Sequence, residues 1–170
     1  MKKIKFLFVL ALLFLAASPA FALQCKEGQS INGDECWTSV KVSLLETNVV
    51  SAGSILIYDI NTGDIERGAY EVVLATASLD DYRIAGVAQQ TIATGDWGKV
   101  LVKGKGLVIM RDVAASGDRI YVSSIEGKGG TTGGRAADGT NRISSADPIG
   151  FLLEASTADA THDAYITILG

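Results

Sequence analysis

From Trp37 to the end of the chain, apolar and polar residues alternate with a period of two, and β-branched residues fill many of the apolar positions. Alternation of this kind sends one set of side chains to a core and the other to water, the mark of half-buried strands. The runs predicted as strands are Thr38–Leu44, Ser54–Asp59, Glu71–Ala75, Arg83–Ala88, Lys99–Lys103, Gly106–Met110, Arg119–Ser123, Ile149–Glu154 and Ala164–Leu169. Good turn formers separate them at Asn61-Thr62-Gly63-Asp64, Ala93-Thr94-Gly95-Asp96, Lys103-Gly104-Lys105-Gly106 and Ala115-Ser116-Gly117-Asp118. Nine short strands at this spacing predict an all-β fold, a single sandwich or barrel domain over residues 38–170.

One arrangement recurs: a small residue, glycine, then Ser or Asp, directly before a strand. It stands at Ala52-Gly53-Ser54, Thr94-Gly95-Asp96 and Ser116-Gly117-Asp118. Glycine supplies the positive φ of such a turn, and the short polar side chain can bond the neighbouring backbone. The pattern speaks of strand entry. A carrier domain would open strands in a similar way, but no modifiable lysine sits in a Met-Lys or Asp-Lys setting. The stretch Glu126–Asn141 differs, because Gly127, Gly129, Gly130, Gly133, Gly134 and Gly139 make it too flexible to pack. It is expected to be a surface loop, or a segment that orders only against a neighbour.

The first 22 residues change the picture of where this body works. Lys2, Lys3 and Lys5 precede an apolar run, Phe6–Ala17, and Ala20-Phe21-Ala22 follows, the three parts of a secretory signal peptide. A run of about a dozen apolar residues is short of the ~20 that cross a bilayer. The expectation is cleavage before Leu23 and a secreted location, whether periplasmic, cell-surface or extracellular, with no membrane contact afterwards. Gln24 before Cys25 speaks against a lipoprotein signal. In that compartment Cys25 and Cys36 are expected to form a disulfide closing an N-terminal segment, residues 23–37, with Trp37 packed over it.

Charge narrows the partners. The whole chain carries −4, and loss of three leader lysines without any acid leaves −7. Its basic residues are scattered, so nothing favours nucleic acid or anionic lipid.

Catalytic chemistry leaves little trace. His162 is the one histidine, which excludes a histidine metal cluster, and its place in Ala160-Thr161-His162-Asp163 suggests a turn residue rather than a base. No Gly-x-Ser-x-Gly elbow accompanies the serines. Gly127-Lys128-Gly129-Gly130-Thr131-Thr132 lacks the spacing of a phosphate loop, and the aspartates form no calcium-loop run, although a loop-borne calcium site stays open. No cofactor and no catalytic residue is expected. Trp97 follows a turn, and its ring either caps the end of the core or lies exposed to stack on a sugar or a partner. Trp97, Tyr121, Arg135 and Arg142 are the candidate partner or ligand contacts.

Arg83-Ile84-Ala85-Gly86-Val87-Ala88, Thr91–Val100 and Val102-Lys103-Gly104 resemble the middle of small β-rich virion proteins of tailed phages, of the capsid decoration or cement type. Ala146–Ala155 and the terminal strand Ala164–Leu169 are similar to the way those proteins end, so the likeness covers about residues 51–169. It implies a compact β unit that trimerises or sits at symmetry points of a shell and stabilises it. The leader and the cysteine pair depart from that pattern, so the fold and the tendency to assemble carry over more readily than a viral role. Two functions follow: an exported structural protein that self-assembles or decorates a surface, or a secreted carbohydrate-binding or adhesin module.

Overall fold

A computed structural model describes Cys25, residues 30–32, 34–59, 71–76, 84–131 and 148–168. The expected leader, the expected turn at residues 61–64, most of the glycine-rich stretch, Arg135 and Arg142 lie outside these residues. Among the described residues every regular element is a strand: β1 (Ser30–Asn32), β2 (Glu35–Val42), β3 (Ile55–Tyr58), β4 (Glu71–Leu74), β5 (Ile84–Ala88), β6 (Trp97–Met110), β7 (Arg119–Val122), β8 (Gly129–Gly130), β9 (Gly150–Leu152) and β10 (Ala160–Thr167).

All ten join one continuous sheet, and its pairings close on themselves twice. β2, β4, β3, β5 and the first part of β6 form one circuit, which β2–β6 pairing completes. The last part of β6, β10, β9, β7 and β8 form a second, which β6–β8 pairing completes. Where a single sandwich or barrel was expected, the chain makes two small barrels that share a strand. Closure matters because it leaves few unpaired edges for chance association.

The two circuits are built alike. β2, β3, β4, β5 and β6 take the roles in the first that β6, β7, β8, β9 and β10 take in the second, with the same parallel pair (β2–β4, β6–β8) and the same antiparallel pairs. The pairs Ile55↔Val87 and Leu56↔Gly86 recur as Arg119↔Phe151 and Ile120↔Gly150, 64 positions later (119 less 55, 151 less 87). Outlying bridges repeat at the same offset, Val50↔Ile92 and Ala114↔Ser156. This is an internal structural duplication. Of the residues paired in these strands, Gly86 and Gly150 keep their identity, as do Val40 and Val108, and so few identities leave the repeat hidden in the sequence.

β6 corrects the expected turn at Lys103–Gly106, since the strand runs straight through it. Trp37 pairs with Leu101 while Cys36 pairs with Lys103, so Val102 is an extra residue, a β-bulge. The bulge resets the alternation. Val100 faces the core of the first barrel, with Val40, Val42, Leu56 and Val72. Beyond the bulge, Val108 and Met110 join Leu101 in a larger cluster with Ile120, Leu152 and Ile166. One strand can thereby serve two cores.

The recurring turns form as expected. Ser54, Asp96 and Asp118 each donate a backbone N–H to the carbonyl three residues back, at 3.1, 3.0 and 3.2 Å. Gly53, Gly95 and Gly117 hold φ of 88°, 80° and 90°. A fourth turn of this kind, Ile125–Lys128 with Gly127 at φ 69°, lies in the stretch expected to be too flexible to pack. Gly129 and Gly130 there are buried in β8, where lack of a side chain lets β8 approach Ile120 and Met110.

Candidate interaction surface

Three expected site features resolve differently. Cys25 and Cys36 are disulfide-bonded, with Cα atoms 5.6 Å apart. Trp37 does not cover that bond, because successive strand residues point to opposite faces. Its ring packs against the larger core cluster, and its Nε1 donates to Glu35 Oε2 at 3.1 Å. Trp97 caps no core: it is 63% exposed at the start of β6, opposite Lys41.

His162 is a strand residue of β10, not a turn residue, and is paired with Val108. Its Nε2 accepts the Thr157 N–H at 2.9 Å, and its Nδ1 stands 3.3 Å from Glu154 Oε1. Glu154 Oε1 also accepts the Asp163 N–H at 3.0 Å, so the imidazole and this carboxylate tie residues 154–157 to β10. Among the described residues, no group of three or more His, Cys, Asp and Glu could hold a metal ion.

Two surfaces hold most of the outward apolar residues; Val113 and Ile125 are exposed in the loops on either side of β7. The first is the outer face of the second barrel. In β7 the buried Ile120 and Val122 alternate with Arg119 and Tyr121, which point outward. Register places Arg119 opposite Phe151, Phe151 opposite Tyr165, and Tyr165 opposite Lys105, a single row across four strands. The two central rings stack, their centroids 5.5 Å apart and their planes at 19°. Leu153 lies at the rim, 38% exposed. Lys105 Nζ reaches Asp163 Oδ2 at 2.9 Å, and this hydrogen bond with the charge behind it raises the lysine pKa.

The second surface is the tip of the first barrel, where Leu44, Leu45 and Val49 are at least 70% exposed in the β2–β3 loop. The loop is held firmly. The buried Glu46 carboxylate accepts the N–H groups of Asn48 and Leu74, each at 2.9 Å, and the Glu46 carbonyl accepts the Thr94 hydroxyl at 3.1 Å. Gly95 lies against Leu44, and its N–H donates to the Val42 carbonyl, which brings Trp97 and exposed Asp96 to the same end. Trp97 and Tyr121, both expected as contacts, therefore belong to different surfaces. Phe151 and Tyr165 were missed, for their significance arises from register across strands far apart in sequence.

No family model matches this sequence, and no curated protein matches it. Among solved structures, the chain is similar to the head fiber gp8.5 N base of bacteriophage phi29. The match has a TM-score of 0.51 and 16% identity, and covers 80% of this chain and 98% of the other. The likeness is one of fold, shared with a structural protein of a phage.

Proposed function

We propose that this chain is an exported, non-enzymatic structural protein that works by contact, as a subunit or decoration of a larger assembly. The observation that carries the reading is the row Arg119–Phe151–Tyr165–Lys105: aromatic area turned outward on a rigid sheet, flanked by cations, the composition of a contact surface. The fold likeness to a head fiber base supports the reading, and the residues that suggested a decoration protein point the same way. The leader supports delivery outside the cytosol, with a mature N-terminus at Leu23.

The test is where the protein resides in the producing culture. Density-gradient separation should place it with a particle or envelope fraction, and N-terminal sequencing should begin at Leu23. Recovery only as a free solute would overturn the reading. A second reading, a carbohydrate-binding or adhesin module, draws on the exposure of Trp97. Glycan-array binding lost in Trp97→Ala would favour it.

A further inference from the structure

The duplication shows what the outer face of a barrel is for. In the first barrel the row equivalent to Arg119–Phe151–Tyr165–Lys105 is Ile55–Val87–Leu101–Trp37, paired across the corresponding four strands. Ile55, Val87 and Leu101 are fully buried, and Trp37 packs against the same cluster. Residues of the second barrel, among them Val108, Met110, Ile120 and Ile166, complete that cluster. The first barrel thus holds its neighbour with this face. The second barrel has the same face, built in the same register, and among the described residues nothing covers it. Its row has become amphipathic, with two stacked rings in the centre and a cation at each end.

We propose that this face binds a second copy of the chain, head to tail, by receiving the tip of the first barrel that carries Leu44, Leu45, Val49 and Trp97. This rests on the structural-subunit reading and adds to it the surface and the partner. Charge favours that occupant at the Arg119 end of the row, since exposed Asp96 lies beside Trp97 on the tip, whereas Lys105 at the other end is paired with Asp163. A two-fold contact of face against face is disfavoured. It would reverse the row upon itself and set Arg119 of one copy against Lys105 of the other, a lysine whose neighbouring acid, Asp163, is already engaged. A face meeting a different patch is heterologous, so it closes into a ring or grows into a filament.

Sedimentation velocity of the full chain, expressed with its own leader and purified as the cell delivers it, tests the proposal. The wild type should associate increasingly with concentration. Phe151→Asp and Trp97→Asp should each weaken association by roughly 30-fold or more, the loss expected of a central aromatic anchor. Leu153→Asp, which spares the ring stack, should act in the same direction if Phe151→Asp unfolds. The decisive sample is the mixture of Phe151→Asp with Trp97→Asp. Each retains the surface that the other lacks, so the mixture should form one-to-one dimers and nothing larger. A wild type that stays monomeric, variants that associate like it, or a mixture that stays monomeric each overturns the proposal. A monomer found in the particle fraction would overturn it while leaving the structural reading intact. Association of a protein found only as a free solute would do the reverse.

Discussion

At the scale of residues, two turn glycines with the same backbone carry different loads. Gly53 and Gly117 hold φ of 88° and 90°. A Cβ at Gly117 would meet nothing within 4 Å, whereas one at Gly53 would stand 2.9 Å from the Ile109 nitrogen, where the two barrels touch. Gly117→Ala should therefore cost only the left-handed backbone term, about 1 kcal/mol. Gly53→Ala should add overpacking and cost about 3 kcal/mol, read from urea midpoints. Equal losses would show that the turn alone sets the cost. Glu46 is a second case, a buried carboxylate whose two acceptors are both occupied by backbone N–H groups. Glu46→Ala should destabilise by about 2–3 kcal/mol and increase amide exchange at Asn48 and Leu74, which lose their acceptors.

At the scale of elements, β6 depends on a side chain from outside it. Gln89, just past β5, gives Oε1 to the Leu107 N–H at 2.7 Å, and its Nε2 donates to the Leu107 carbonyl at 3.1 Å. One amide thus stands in for a strand residue after the bulge. Gln89→Ala should cost about 2 kcal/mol, since it leaves both Leu107 groups without that partner, and a drop in melting temperature measures it. A drop within error would mean that water replaces the amide without loss. β6 also shows why part of the fold was legible in the sequence and part was not. Period-two alternation and turn glycines act between near neighbours, so strands such as β3, β4, β5 and β7 and three turns could be read directly. Lys103-Gly104-Lys105-Gly106 has the local chemistry of a turn, yet pairing with β2 and β10 on either side of the bulge keeps it extended. Nothing local reveals that Gly129 and Gly130 form a strand, because their partners Val122 and Tyr121 dictate it. Of the two candidate surfaces the sequence pointed to one residue each, Trp97 after its turn and Tyr121, whose outward direction follows from alternation. The stack of Phe151 on Tyr165 requires the β9–β10 register.

At the scale of the whole molecule, duplication with a shared strand makes two barrels into one folding unit. β6 cannot leave one circuit without opening the other, and the larger core cluster draws Ile55, Val87 and Leu101 from the first barrel and Ile120, Leu152 and Ile166 from the second. Separate repeats joined by a linker would melt separately, whereas these should unfold together. Both tryptophans stand on strands of the first barrel, Trp37 against the shared cluster and Trp97 at the tip, so their fluorescence follows that barrel and its junction with the second, while far-ultraviolet circular dichroism reports on every strand. The two signals should give coincident urea transitions. Ile120→Ala places a cavity in the second barrel and should cost about 3 kcal/mol. Because the core is common, it should shift the tryptophan transition by as much as the dichroism transition. A tryptophan signal that held its midpoint while the dichroism split into two steps would show that the barrels fold independently, and the shared strand would then be a tether rather than a structural member of both.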